Sequence, residues 1–437
     1  MSVAADRSRL MQGARAVLQA NDLGHSTKPA PHLYPHQWFW DSCFIAIGIS
    51  HYDTARAAEE LRSIFKGQWR NGLIPHIIFN PHGTGYFPGP DTWQTWRSPD
   101  APQDVQTSGI TDPPVLATSA LAVWQNAHEK ETAAAFLREA YPGIVRYHEF
   151  LYRERDPDGS GLAVVVHPWE SGLDNSPPYL DAGKRVHLTY IPTYTRLDTN
   201  QVSAANRPTD KDYHLFVYLL EQMRAVDWDQ RRYLETAPLQ VQDMIFNAIL
   251  CRANIDLAQI ATIIGEDPAQ ANRWHETTMR AINDTLWDEA EGCYFSRDRV
   301  AGELLKDDTV ATFIPLFGQV APRDRVERII QRLLDPKRYW PQGGYPVPST
   351  ALDSPWFNPE NYWLGPTWVN VDWMILQGLR LSGRADLADQ LRGTVLDLVA
   401  SAGYREYFNP LTGEGYGTDS FGWTAALVID LLAADAR

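Results

Sequence analysis

Cysteine is scarce in this chain. Cys43, Cys251 and Cys293 give an odd count with no zinc-ligand spacing, so free thiols in a reducing compartment are expected rather than a disulfide framework. No run of about 18 apolar residues occurs, which excludes a transmembrane helix. Positive charge is in the minority: 39 Lys and Arg stand against 54 Asp and Glu, a formal net charge of −15. Such a surface repels phosphate backbones and anionic lipid, so neither nucleic acid nor membrane is expected as a partner. Residues 1–20 carry early charges and no apolar core, so they do not read as a signal peptide and a cytoplasmic location is expected. The twelve histidines are scattered without ligand spacing, and HExxH is absent, so no metal is expected. There is no P-loop, and Gly413, Gly415 and Gly417 follow no Rossmann strand, so no nucleotide cofactor is expected. A Gly-x-Ser-x-Gly nucleophile elbow is also missing.

What the chain has is a large apolar fraction, 44%, and 16 tryptophans. Many of these rings belong in a core. Several, however, sit beside Gly, Pro, Asp and Gln, company suited to stacking on the C–H face of a sugar while polar neighbours take its hydroxyls. Helical periodicity marks residues 6–20, 41–51, 53–70, 113–128, 131–154, 209–225, 239–264, 267–286, 321–334, 366–382, 385–401 and 420–435. Asp53 and Thr209 read as helix starts, and Pro113-Pro114 suits a first turn. Strand alternation is nearly absent, with short candidates at 163–167 and 292–296. Three connections, 71–112, 156–208 and 335–365, are far longer than ordinary ones, and loops of that length are usually functional. The expectation is one all-α domain, 1–437, of paired helices, with those loops building a site at one end. Glycines 83, 85 and 89 and many prolines mark 71–112 and 176–208 as lids.

Four loop segments could carry chemistry. In Trp169-Glu170-Ser171-Gly172-Leu173-Asp174-Asn175, an apolar and aromatic setting favours the protonated form of Asp174, as a general acid requires. A loop Asp that caps local N–H groups is the plain alternative. In Arg405-Glu406-Tyr407-Phe408-Asn409-Pro410, Glu406 lies between a helix end and a glycine-rich turn; it is either a base or a surface partner of Arg405. Glu414, between glycines, reads as exposed. In Gln37-Trp38-Phe39-Trp40-Asp41, two indoles and a carboxylate suit a sugar subsite, or aromatic packing with an N-cap. In Asn361-Tyr362-Trp363-Leu364-Gly365-Pro366-Thr367-Trp368, Trp368 is as much core as subsite. The run Asp156-Pro157-Asp158-Gly159-Ser160-Gly161 lacks the downstream Glu of a calcium loop and reads as a turn.

Taken together with Ser108-Gly109-Ile110-Thr111 and Arg207-Pro208-Thr209-Asp210, these motifs resemble glycoside hydrolase family 63 from about Tyr34 to Ala426. The compact length resembles its bacterial branch of mannosylglycerate and glucosylglycerate hydrolases. The resemblance implies an (α/α)6 barrel, hydrolysis with inversion and no cofactor, with Asp174 as general acid and Glu406 as general base. It carries the family's sugar-binding positions onto Tyr34, Trp38, Trp40, Asp41, Tyr86, Gly172, Arg207, Tyr362, Trp363 and Trp368. Trp169 and Asp112 join this set by their place in the motifs. The implied partner is a small α-glucoside or α-mannoside; a homo-oligomer is left open.

Two positions depart from the family's pattern. Asp112 stands where the family usually has Gln, and Leu364 where it often has Arg. If both face the site, each change weakens attraction for an anionic aglycone such as glycerate. Arg207 remains as a carboxylate clamp. A neutral aglycone, glycerol or a second sugar, is therefore a competing substrate. Two other readings are a sugar epimerase or isomerase, which typically wants paired histidines, and a non-catalytic carbohydrate-binding protein.

Overall fold

The computed structural model describes residues 3–433. Apart from the short connection helices Pro90–Trp93, Pro177–Lys184 and Gln230–Leu234, its described helices are α1 Val3–Ala20, α2 Phe39–Ile49, α3 Thr54–Lys66, α4 Leu116–Asn126, α5 Lys130–Glu154, α6 Asp210–Ala225, α7 Met244–Ile264, α8 Ala269–Thr285, α9 Ile314–Phe317, α10 Arg323–Leu333, α11 Val369–Leu381, α12 Ala385–Ala402 and α13 Gly422–Ala433. Six of them, α2, α4, α7, α9, α11 and α13, touch in that order, and α13 returns to α2. The ring is therefore closed. α1, α3, α5, α8, α10 and α12 alternate with them along the chain, most packing on the outer face of the inner helix beside them. This is an (α/α)6 barrel, as the family resemblance implies.

Pattern and burial agree on which helix goes where. α2, α7 and α13 are apolar all round and buried along nearly their whole length, as a ring enclosed on both sides demands. α3 and α10 are amphipathic and bury one stripe. Asp53 accepts from Arg56 N–H at 2.9 Å and caps α3, while Thr209 and Asp212 form a capping box on α6.

Some boundaries differ from the sequence reading. Pro113 and Pro114 precede α4, which starts at Leu116. Residues 239–243 are not helical: Val241–Gln242 pairs with Arg297 and Asp298, and Asp243 caps α7. The 292–296 candidate belongs to short hairpins, Trp287–Asp288 with Cys293–Tyr294 and Ser296–Asp298 with Glu303–Leu305. The 163–167 candidate yields one bridge, Val165 to Val241. The fourth inner element, a 3-10 turn Val310–Phe313 running into α9, has no counterpart among the expected helices. It is short, holds Pro315 in its first turn and is buried on every side, so it shows no helical period. α6, which was expected, stands outside the ring and lays Tyr213 and Phe216 against Trp169. The expected end of the last helix at 435 lies outside the described residues.

Closure between α2 and α13 depends on Gly48. A Cβ there would lie 2.4 Å from the Ala426 carbonyl oxygen and 2.5 Å from its Cα. Alanine would gain helix propensity but force the two backbones apart. Gly48→Ala is expected to lower unfolding free energy by about 1–3 kcal/mol in denaturant titration.

Candidate active site

Inner helices begin at one end of the ring, and the long connections gather there. Trp40 and Asp41 occupy the first turn of α2, Asp112 precedes α4, Trp368 precedes α11 and Trp423 opens α13. These segments, with the 167–175 turn and the 405–418 stretch, enclose a pocket of about 790 Å³. Its walls include Tyr34, Trp38, Trp40, Asp41, Tyr86, Asp112, Trp169, Gly172, Asp174, Arg207, Tyr362, Trp363 and Glu406. Asp174 and Glu406, 232 positions apart by number, thus share one cavity.

The turn that carries Asp174 is built around a carboxylate that stays out of the pocket. Glu170 is fully buried, ion-paired with Arg155, and accepts the Val166 N–H at 2.9 Å and the Thr111 N–H at 3.3 Å. His167 Nε2 donates to the Phe216 carbonyl at 2.9 Å, and its Nδ1 accepts from Trp169 N–H at 3.1 Å. Both ring nitrogens are thus committed, and burial holds the imidazole neutral, with a pKa of about 4. Gly172 follows with its backbone against the Trp40 ring. Asp174 then projects into the pocket, partly exposed to it. Burial pushes its pKa up to about 7; Arg207 and its own N–H oppose this, and the charge of Glu406 adds to it.

Glu406 is held differently. Its Oε1 accepts from the Tyr34 hydroxyl at 2.7 Å and from Arg207 Nη1 at 3.4 Å. Its Oε2 accepts the Thr418 N–H at 3.1 Å. Gly417 makes the last contact possible: at φ +67, a Cβ there would sit 2.3 Å from Oε2. Burial raises the pKa of Glu406, while Arg207, Tyr34 and Thr418 restrain the rise. The surface pairing with Arg405 does not form; Glu406 is 1% exposed, and its cation is Arg207. Glu414 is exposed, as expected.

Arg207 is shared. Nη1 also donates to Tyr34 Oη at 2.9 Å, and Nε to Asp198 at 3.3 Å. The guanidinium lies 4.3 Å from the centre of the Tyr362 ring. Asp198 is further bound by Arg196 and by the Tyr213 hydroxyl, and these cations outweigh burial to keep it ionised.

Asp41 and Asp112 form a second acidic pair in the wall. Burial, then the charge of a neighbouring carboxylate, raises both well above the usual range. Asp112 accepts only a long bond, 3.4 Å, from Trp40 N–H. Asp41 Oδ1, Trp363 Nε1 and Trp423 Nε1 are buried with no protein partner, one acceptor and two donors in residues that line the same cavity. Unpaired buried groups are costly, so these three atoms are free to take further polar contacts from within the cavity.

Trp368 does not line the pocket. It stacks behind Trp363 at 3.8 Å and 7°, and donates to the Tyr362 carbonyl at 3.1 Å. Leu364 lies in a tight turn and is not a wall residue either, so only Asp112 of the two departures faces the site. Asp198, Tyr213, His76 and Trp423 are wall residues that sequence reasoning missed. Trp423 was indistinguishable from helix core, and Asp198 from a polar loop residue. Among the described residues no His, Cys, Asp and Glu cluster is arranged to hold a metal.

A closed helical ring with two unequally exposed carboxyls in one aromatic pocket is an arrangement found in barrel glycoside hydrolases. Residues 34–424 match the family described as "Mannosylglycerate hydrolase MGH1-like glycoside hydrolase domain". A mannosylglycerate hydrolase from Rubrobacter radiotolerans is 43% identical over 427 residues, 97% of this chain and 96% of that one. A glucosylglycerate hydrolase from Mycolicibacterium hassiacum is 36% identical over 445 residues, covering 97% and 98%. The crystal structure of a family 63 mannosylglycerate hydrolase from Thermus thermophilus, in complex with Tris and D-glycerate, superposes with a TM-score of 0.91 at 40% identity, covering 96% and 99%. The chain belongs to this MGH1-like group of glycoside hydrolase family 63, and it is a glycoside hydrolase.

The raised pKa of Asp174 has a consequence for stability. An unfolded chain releases this proton near the ordinary 3.8, whereas the folded protein holds it to about 7. Stability from this group is therefore whole below the lower value and lost as pH rises through the upper one. Asp174→Asn is expected to be stabilising by up to about 4 kcal/mol above pH 7 and near neutral at pH 4, measured as the pH dependence of thermal or denaturant unfolding.

Proposed function

We propose that this protein hydrolyses an α-mannoside or α-glucoside of glycerate with inversion, using Asp174 as acid and Glu406 as base. The observation that carries this reading is the unequal hydrogen bonding of the two carboxyls. Glu406 has three donors, Tyr34, Arg207 and Thr418 N–H, which oppose the rise that burial imposes on its pKa and favour its ionised form. Asp174 has only its own N–H, and burial keeps its proton on near neutral pH. Protonated Asp174 donates to the glycosidic oxygen as the C1–O bond breaks. Ionised Glu406 takes a proton from the water that attacks C1 from the opposite face. The products are the free sugar with inverted anomeric configuration and the released alcohol. Carboxyl groups about 6.5–9.5 Å apart leave room for that water.

Trp38, Trp40, Tyr362 and Trp363 offer faces for the sugar, and Asp41 and Asp112 take its hydroxyls. Arg207 suits the glycerate carboxylate, which is where the relatives named as glycerate-glycoside hydrolases support the reading. A neutral aglycone is the second reading. It is favoured by the pairing of Arg207 with both Glu406 and Asp198 and by the acidic wall at Asp112. An epimerase would need paired histidines, and His167 is committed on both nitrogens. We read the chain as one catalytic domain that works in the cytoplasm; three buried free thiols suit that compartment. No described helix is long and apolar enough to cross a membrane. Segments 71–112 and 176–208 serve as lids, and they meet where Phe87 stacks on Tyr194 at 5.5 Å and 12°.

Asp174→Asn and Glu406→Gln are each expected to cut kcat by about 10²–10⁴-fold while retaining substrate binding. NMR of the first-formed sugar from mannosylglycerate, glucosylglycerate and the matching glycerol glycosides reads stereochemistry and aglycone together. A retained anomer would contradict the mechanism, and equal turnover of charged and neutral aglycones would contradict the glycerate assignment. Hydrogen exchange in both lid segments should slow on ligand binding; unchanged exchange would rule out closure.

A further inference from the structure

Two carboxamides, Asn175 and Asn361, lie between the walls of the pocket without lining it. Asn361 Nδ2 donates to two carbonyl oxygens, those of Ala205 at 2.9 Å and Arg207 at 3.0 Å. Carbonyls only accept, so chemistry fixes the orientation of this amide, and its Oδ1 faces away from them. There it accepts from Asn175 Nδ2 at 2.8 Å. Asn175 Oδ1 in turn accepts the Trp363 N–H at 3.0 Å. The two side chains are 1% and 9% exposed, so water is a poor substitute for any of these bonds.

Each end of this run is attached to a group the reaction uses. Asn175 directly follows Asp174. Trp363 is a wall residue, and its neighbour Tyr362 is held at φ +39, a left-handed backbone that needs outside support. Residues 205–207 are clasped from two sides. Asn361 takes the first and third carbonyls, and the Tyr407 hydroxyl, beside Glu406, takes the Asn206 carbonyl. Asn206 Nδ2 returns a bond to the Glu360 carbonyl at 2.9 Å. The segment so fixed ends in Arg207, whose guanidinium reaches Tyr34 and Glu406.

We propose that the Asn175–Asn361 amide pair is a positioning strut that locks the loop of Asp174 to the segment carrying Arg207, so that proton donor and base are set relative to each other by one rigid connection. The proposal rests on the acid and base roles given above. Neither asparagine touches substrate; both act through Arg207, Trp363 and the Asp174 backbone. Arg207 restrains the upward shift of Glu406 and of Asp174 alike. Loosening the strut therefore releases both carboxyls toward higher values together.

The test uses Asn175→Ala, Asn361→Ala and the double variant in the full chain, with Asp174→Asn and Glu406→Gln in the same series. Each single Asn variant is expected to lower kcat roughly ten- to a hundredfold. Both limbs of the kcat/KM pH profile should move upward by roughly half a unit or more. The double variant should be no worse than the poorer single, because both break one connection. Should an alanine variant fail to fold, Asn175→Ser, which keeps one hydroxyl, is read in its place with the same expectation. Limbs that stay at wild-type positions, additive losses, or wild-type kcat would each overturn the strut. Turnover by Asp174→Asn or Glu406→Gln at wild-type rates would overturn the acid and base reading, and the strut with it. Inactive carboxyl variants beside unmoved limbs would remove the strut alone.

Discussion

A single guanidinium governs the electrostatics of this pocket. Arg207 is buried among Asp174, Glu406 and Asp198, and the acidic pair Asp41 and Asp112 lines the same pocket. Arg207, even with Arg196 on Asp198, cannot neutralise five carboxyls in a poorly solvated space, so some are driven toward the protonated form. Hydrogen bonds decide which. Glu406 receives Arg207 directly and again through Tyr34, and gains the Thr418 N–H besides. Asp198 is reinforced by Arg196. Asp174, Asp41 and Asp112 receive little, and burial drives them toward the neutral form. Two carboxyls that hold their protons unequally in one cavity meet the condition acid–base glycoside hydrolysis requires.

The barrel supplies that condition through its connections. The inner helices form a closed ring, and pocket residues lie in or just before the first turns of α2, α4 and α13. Two donors to Glu406 come from remote places, Tyr34 before α2 and Arg207 before α6, and the third, Thr418 N–H, from across its own hairpin. Two of the three contacts are long-range, so the charge state of Glu406 depends on the whole fold. The tryptophans work in two layers for the same reason. Trp363 faces the cavity, and Trp368 behind it holds the ring by stacking, which in turn rests on Tyr407 at 4.6 Å.

Most of the architecture was legible in the sequence because nearly every long helix showed helical periodicity, and capping residues such as Asp53 and Thr209 marked two of the starts. The exception is instructive. The fourth inner position is filled by Val310–Phe317, too short and too uniformly apolar to show any period, so the expected helices included α6 and lacked α9. Much of the pocket wall was visible too, since loops rich in Trp, Gly and isolated carboxylates stood out against amphipathic helices. What could not be read was partnership. Glu406 sits beside Arg405 in sequence yet pairs with Arg207; Glu170 resembles Asp174 in its motif yet is consumed by Arg155. Asp198 and Trp423 carry no local signal, because their place in the wall comes from packing between distant segments.

The central claim is that, near neutral pH, Asp174 holds a proton that Glu406 has already given up. Carboxyl infrared difference spectra of wild type against Asp174→Asn and Glu406→Gln, taken across pH, observe each group directly. The account predicts a protonated C=O band from Asp174 that disappears around pH 7, and a carboxylate band from Glu406 already present below that pH. A Glu406 that stays protonated while Asp174 ionises would contradict it.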